Sequence, residues 1–219
     1  HATFNITIVE PTGSFAYVPS SINMTRGQGI SPIIPNYNGG AIENWSIYPD
    51  LPIGLLFENG TISGTPSDVS SSATYTVTAT NAGGSATASV VIQVNDVAPS
   101  SVAYSPTFLT LTKDSPMTTA TPTSSGGAVV SWSISPTITA GLSFDTSTGA
   151  ISGTPTLTST AITYTVTATN SGGGATATVT ILVNDAAPSS VTYSPSSHTL
   201  TKDVAMTTVI SNNIGNALM

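Results

Sequence analysis

Charged side chains are scarce in this sequence. Only 6% of its residues are Asp, Glu, Lys or Arg, against about 25% in an ordinary soluble domain. Three of them are basic and ten are acidic, which gives a formal net charge of −7 at pH 7. A protein that binds nucleic acid or an anionic membrane through its surface needs a cluster of Lys and Arg. The composition therefore excludes nucleic acid as a partner.

Cysteine is absent, and so is any long apolar run. Without Cys the chain forms neither a disulfide nor a cysteine-based zinc site. Ser, Thr or Gly breaks every hydrophobic stretch before it reaches the roughly 18 residues that a membrane-spanning helix needs. We therefore expect no membrane insertion in this segment. The sequence is instead rich in Thr, Ser, Asn and Gly, and β-branched Thr suits the exposed faces of strands.

The sequence repeats itself with a period of 89 residues. Ile62–Pro66 (ISGTP) recurs as Ile151–Pro155, and Tyr75–Asn81 (YTVTATN) recurs as Tyr164–Asn170. Self-similarity at a fixed period indicates tandem units. The expected domains are 1–12, the last strand of a preceding or exchanged unit; 13–97, a first Ig-like repeat; 98–186, a second; and 187–219, the first two strands of an incomplete third.

Apolar and polar residues alternate in the matched segments. Tyr164, Val166 and Ala168 share one side of their segment, and Thr residues share the other. A period of two is typical of antiparallel strands with one buried and one solvated face. About seven such strands per repeat, separated by Gly, Pro and Asn turns, predict an all-β fold of tandem Ig-like or cadherin-like antiparallel β-sandwich domains.

Aromatic positions that recur in both repeats predict the centre of each core. The two Trp take the place of the Trp that Ig-like sandwiches carry on the third strand. One Tyr per repeat opens the penultimate strand, where a corner tyrosine is common, and the Val two residues later stands where antibody domains have a Cys. The core should therefore depend on packing alone. The expected core residues are Trp45, Trp132, Tyr75, Tyr164, Val77 and Val166.

These motifs resemble a known family. Gly141–Asp145, Gly149–Pro155 and Tyr164–Asn170 together are similar to the bacterial putative-Ig (He_PIG) repeat. The second repeat matches over its length, and the first matches from about Trp45 onward. That family is cadherin-like in fold and occurs in tandem on large surface proteins, including those of Leptospira. The resemblance implies an extracellular, cell-surface array and brings no catalytic residues with it.

Calcium is the one cofactor that the sequence leaves open. Asn95-Asp96 and Asn184-Asp185 each stand shortly before Ala-Pro and resemble part of the cadherin linker that binds Ca²⁺. Calcium takes six to eight oxygen ligands, usually including several carboxylates, and the companion acidic motifs are missing. The alternative is a polar turn whose Asp accepts backbone N–H bonds.

No combination of side chains predicts an enzyme. Asp145 and Glu58 lie in hairpin turns of different repeats, so they are expected to be solvated turn carboxylates. His1 and His198 are the only histidines, and neither is placed to activate a Ser. They are also expected to lie too far apart to share a copper ion.

Four Asn-x-Ser/Thr sequons lie before residue 60, at Asn5, Asn23, Asn44 and Asn59. Each is a glycan acceptor in a host that glycosylates Asn. Chance sequons are common in a sequence so rich in these residues, and both readings stay open. Asn44 adjoins Trp45 on a strand, so we expect it to be the least accessible.

Three functions fit such an array. A stalk or spacer would use the Pro-containing linkers Val97–Ser100 and Ala186–Ser189 to restrict hinge motion. An adhesin would bind a host protein or glycan through loops, of which Ser31–Gly40 is the most individual. A filament subunit would exchange the strand Phe4–Val9 with a neighbouring Ig-like repeat of the same or another chain. We favour the spacer.

Overall fold

The computed structural model describes residues 9–194 and 196–214. They form two compact units. The first runs to Pro99 and includes Gly126–Ala128 and Asn170–Gly173, and the second takes in the other described residues. All regular structure in these ranges is β-strand. No helix with the length and hydrophobicity of a membrane span occurs there. The predicted all-β class is confirmed.

The first repeat is a sandwich of two main sheets. One has the order β2-β9-β8-β5, the other β3-β7-β6, and β1 pairs with β4. β2 runs parallel to β9, and the remaining pairs are antiparallel. The strands are β1 (Phe15–Ala16), β2 (Ser21–Thr25), β3 (Ile30–Ile33), β4 (Asn36–Tyr37), β5 (Asn44–Tyr48), β6 (Leu55–Glu58), β7 (Thr61–Gly64), β8 (Ser70–Asn81) and β9 (Gly84–Asn95).

The second repeat has the same plan. Its larger sheet has the order β11-β17-β16-β13, with β11 again parallel to β17, and β14-β15 and β10-β12 form pairs. The strands are β10 (Pro99–Ala103), β11 (Phe108–Thr112), β12 (Thr123–Gly126), β13 (Ser131–Ser135), β14 (Leu142–Phe144), β15 (Ile151–Gly153), β16 (Ser159–Asn170) and β17 (Gly173–Asn184). Beyond them β18 (Ser190–Tyr193) pairs with β19 (Ser211–Ile214).

The predicted alternation places the core residues as expected on the long strands. Tyr75 and Val77 of β8 are buried, as are Tyr164 and Val166 of β16. Tyr75 and Val77 share one apolar cluster with Ile62 of β7. Tyr164 and Val166 share another with Ile151 of β15. Each fully buried aliphatic or aromatic side chain contributes about 1.5–3 kcal/mol relative to an exposed one. The expected packing-based core is therefore present in both repeats.

The two Trp residues differ in burial. Trp132 is only 7% exposed, whereas Trp45 is partly buried at the edge of its cluster. Both lie on the strand that pairs with the penultimate strand of the repeat. That strand is the fourth or fifth of its repeat and not the third as expected, because short strands precede it.

The tyrosines expected to open the penultimate strands do not stand at the strand ends. Tyr75 and Tyr164 lie inside β8 and β16, which begin five residues earlier, at Ser70 and Ser159, and the hydroxyl of the buried Tyr164 lies 2.6 Å from Oγ1 of Thr139. Two further buried tyrosines, Tyr17 and Tyr104, bond to a distant turn. Their hydroxyls donate to the carbonyls of Gly60 and Gly149 at 2.5 Å in each case. Burial raises the pKa of both phenols to about 12.

Candidate functional site

A side-chain amide holds the peptide that enters the first repeat. Asn81, the last residue of β8, donates through Nδ2 to the carbonyls of Glu10 at 3.1 Å and Ala41 at 3.2 Å. Its Oδ1 accepts the backbone N–H of Gly83 at 2.9 Å. Asn suits this position because it offers two N–H donors and an acceptor on one short side chain. We name this arrangement a linker clamp.

A second linker clamp is centred on Asn170, the last residue of β16. Its Nδ2 donates to the carbonyls of Val97 at 2.7 Å and Ala128 at 3.1 Å, and its Oδ1 accepts from Gly172 N–H at 2.8 Å. The hydroxyl of Ser171 accepts the N–H of Asp96 at 2.9 Å. All these residues belong to the first compact unit. The clamp holds the three residues 96–98 that separate β9 from β10.

Glycines let the clamp approach the peptide closely. A Cβ on Gly83 would lie 2.4 Å from the carbonyl oxygen of Glu10, and one on Gly172 would lie 2.0 Å from that of Asp96. Both distances are shorter than any van der Waals contact allows. Glycines follow the Asn at the end of both strands, as Asn-x-Gly-Gly at β8 and as Asn-x-Gly-Gly-Gly at β16. They therefore allow the entering peptide to pack closely as well as forming the hairpin turn.

An ion pair fixes the start of the same linker. Arg26 follows β2 and places its Nη2 2.7 Å from Oδ1 of Asp96, whose side chain is 12% exposed. The same Oδ1 accepts the backbone N–H of Val97 at 2.7 Å. Because β2 and β9 run parallel, the residues that follow them lie side by side, and Arg26 N–H also bonds to the carbonyl of Asn95 at 2.8 Å.

The position of Arg26 recurs with the repeats. The chain has only three Lys and Arg residues; Arg26 directly follows β2 and Lys113 directly follows β11, and Lys202 stands 89 residues after Lys113 in the sequence. Lys113 N–H bonds to the carbonyl of Asn184 at 2.8 Å, as Arg26 does to Asn95. This cation position was not predicted from the sequence, although the spacing of three Lys and Arg residues in so uncharged a chain was a visible signal.

The family profile described as "Putative Ig domain" (He_PIG) matches residues 7–95 and 98–184. The chain belongs to this family. The two matched segments end at or beside Asn95 and Asn184, so each He_PIG repeat closes with the residue whose backbone bonds to Arg26 or Lys113. The resemblance found in the sequence motifs is confirmed.

Solved structures of Ig-domain proteins are similar in fold. Drosophila OTK extracellular domains 3-5 share 18% identity at a TM-score of 0.48, covering 77% of this chain and 61% of that one. The N-terminal four Ig domains of Dscam1 isoform 9.44 share 14% sequence identity at a TM-score of 0.48, and the match covers 80% of this chain and 44% of that one. Titin domains z1z2, solved with telethonin, share 18% identity at a TM-score of 0.38, and the match covers 84% of this chain and 100% of that one. Among curated proteins there is no match.

The calcium candidates are engaged in protein contacts. Asp96 bonds to Arg26 and to the backbone of Val97. Asp185 is exposed, and its Oδ1 accepts the N–H of Ala186 at 3.0 Å. Among the residues that the structure describes, no three His, Cys, Asp or Glu side chains cluster in a way that could hold a metal ion. In both He_PIG repeats the Asp accepts a backbone N–H of the following residue, as expected for the polar turn, and calcium stays an untested alternative.

Three of the four sequon asparagines lie on the surface of the first He_PIG repeat. Asn23, Asn44 and Asn59 are all exposed, and the expectation that Asn44 is the least accessible sequon stays a prediction. Asn5 lies outside the described residues, as do His1 and most of the expected exchange strand Phe4–Val9. Glycosylation and strand exchange therefore stay predictions.

Asn44 and Asn59 line one groove together with two aromatic residues and a carboxylate. We name it the repeat-one groove. It has a volume of about 410 Å³ and is lined by Tyr37, Glu43, Asn44, Trp45 and Asn59, together with Ala41 and Ile42.

The two turn carboxylates, Asp145 and Glu58, lie in different repeats, and Asp145 stabilises its own turn. Oδ1 of Asp145 accepts the hydroxyl and N–H of Ser147 at 2.5 and 2.8 Å and the N–H of Thr148 at 3.3 Å. Hydrogen bonding from Ser147, the largest effect, and from Thr148 lowers the pKa of Asp145 to about 2. This is the Asx-turn use of Asp. Glu58 lies in the first repeat at the end of β6, so the structure does not bring the two carboxylates into one repeat.

Proposed function

We propose that this He_PIG chain is part of an extracellular spacer of a cell-surface protein, without catalytic activity. The observation that supports the proposal is the linker clamp, which occurs once around Asn81 and once around Asn170. Asn81 and Asn170 stand at the same point of the two repeats and make the same three bonds, so the peptide that enters each repeat is held in the same way.

Ordering a linker has a conformational entropy cost of about 1–2 kcal/mol per residue for the backbone. The bonds from Asn170 to Val97 and Ala128, the ion pair of Arg26 with Asp96, and the bond from Asp96 N–H to Ser171 offset this cost. A spacer benefits from the result because a linker that samples few conformations transmits the position of one repeat to the next. An array built for free hinge motion would gain nothing from these contacts.

Small-angle scattering of the whole chain tests the proposal. We expect an elongated particle with a narrow range of dimensions, and the Asn170→Ala variant should give a broader range. Asn81→Ala is the matched control, since it removes the same three bonds from the first linker clamp and leaves residues 96–98 held. A wild-type chain that is compact, or as variable in dimension as Asn170→Ala, would contradict a spacer function.

A further inference from the structure

The repeat-one groove has the volume of a small-ligand site and a mainly polar lining. Its volume of about 410 Å³ lies within the range of roughly 300–1,000 Å³ typical of ligand pockets. Tyr37, on β4, is 50% exposed, so an aromatic surface is available to solvent. Glu43, Asn44 and Asn59 are exposed beside it. The groove thus combines aromatic surface with amide and carboxylate groups.

The fold holds the groove in place before any ligand arrives. The Trp45 ring packs edge-on against the buried Phe15, with ring centres 5.1 Å apart, and against Tyr37 at 6.2 Å. Gly60 lies against the face of the indole, since a Cβ there would be 2.9 Å from Trp45 Cδ2. The carbonyl of Gly60 is in turn bonded to the buried Tyr17. The Trp45 ring, fixed in this way, loses little entropy on binding.

The second repeat does not share these side chains. At the positions of Tyr37, Glu43 and Asn44 it has Ser124, Val130 and Ser131. The matching pairs, Asn44 opposite Thr80 and Ser131 opposite Thr169, confirm the correspondence of β5 and β13.

The turn that carries Asn59 also differs between the repeats. It is replaced in the second repeat by the longer loop between β14 and β15. The groove is therefore specific to the first repeat and is not required by the sandwich.

We propose that the repeat-one groove binds a short, neutral oligosaccharide. Amide and carboxylate groups donate to and accept from sugar hydroxyls, and an exposed aromatic ring packs against the apolar face of a sugar ring. Glu43 is acidic, the side chains that characterise the groove include no Lys or Arg, and the chain has a net charge of −7, which disfavours sialylated or sulfated glycans.

The test begins with a chain made in a host without Asn glycosylation, its mass confirmed, because glycans on Asn44 or Asn59 would fill the groove. An array of neutral, sialylated and sulfated oligosaccharides is probed with this chain. The best neutral compound is then titrated while the two indole N–H signals are followed by NMR, since the chain has only two Trp. We expect a neutral glycan to bind and to shift the signal of Trp45 but not that of Trp132.

Substitutions borrowed from the second repeat localise the binding. Tyr37→Ser and Glu43→Val introduce residues that the same fold already carries at Ser124 and Val130, so both variants should fold. Each should weaken binding at least about tenfold. Tyr48→Ser is the matched control, because Tyr48 is 79% exposed on β5, lies outside the groove and corresponds to Ser135.

Three results would overturn the proposal. The first is that no neutral glycan binds with a Kd below about 1 mM. The second is that the chain prefers anionic glycans or a protein. The third is that Tyr37→Ser and Tyr48→Ser lose the same amount of glycan affinity. None of them bears on the spacer function, which depends on the linker clamps and is tested by scattering.

Discussion

Replacing Asn170 with Ala removes the three hydrogen bonds of the second linker clamp. Each bond contributes about 0.5–1.5 kcal/mol net. Water can reach this side chain, so the carbonyls of Val97 and Ala128 are rehydrated when the amide is lost. The expected loss of unfolding free energy is therefore near the lower end, about 2 kcal/mol, which lowers the Tm of a domain of this size by roughly 8–16 °C.

Asn170→Asp separates the donated bonds from the accepted one. The carboxylate still accepts the N–H of Gly172 but has no proton to donate to Val97 or Ala128. Hydrogen exchange at the Gly172 amide should thus speed up in Asn170→Ala and stay slow in Asn170→Asp, while both variants lose stability at pH 7. If Asn170→Asp is as stable as the wild type, the amide donors contribute nothing and our account of the clamp is wrong.

Three further changes test other contacts. Gly172→Ala should reduce the unfolding free energy by about 1–3 kcal/mol because its Cβ would lie 2.0 Å from the carbonyl oxygen of Asp96. Gly174→Ala, whose Cβ would lie 3.0 Å from a Thr169 methyl and 3.2 Å from the Ala168 carbonyl oxygen, should lose less stability in the same thermal unfolding experiment, and equal losses would contradict the overlap. Arg26→Ala should lower the free energy of unfolding by about 0.5–1 kcal/mol, and this difference from the wild type should shrink in about 1 M salt. A difference that salt does not change would show that the ion pair does not stabilise the fold. Tyr104, with its pKa raised from 10.0 to about 12, favours the folded state below pH 10, and this contribution is lost as pH rises towards 12. Tyr104→Phe should flatten that pH dependence, and an unchanged slope would contradict it.

Local periodicity was enough to predict the long strands and their buried faces. β8 and β16 alternate strictly from Tyr75 and Tyr164 onward, and their inward residues are the ones buried. Their first five residues were missed because they contain mostly Ser and Thr, and because the register shifts between Ser70 and Ala73. A ladder of backbone bonds continues through such a segment without an apolar pattern to mark it.

The linker clamps and the repeat-one groove could not be predicted in the same way. Asn81 and Asn170 bond to residues 71 and 73 positions away, and no local pattern encodes such a contact. The repetition of Tyr75–Asn81 was visible, but it indicated a strand and a turn, with no sign of what the final Asn binds. The groove likewise joins Tyr37, Trp45 and Asn59 from separate strands and a turn. Their proximity depends on the packing of β4, β5 and β6.

The parallel pairing of β2 with β9 determines how a repeat responds to tension. The chain enters a repeat ahead of β2 and leaves after β9, and these strands lie side by side in the same direction. A pull on the two ends, once it has released the two-residue β1, drags β2 and β9 in opposite directions along their axes. The bonds between them are then sheared together and are not opened one after another as in a hairpin. β11 and β17 repeat the arrangement, so in each repeat we expect five residue pairs of two parallel strands to bear the load.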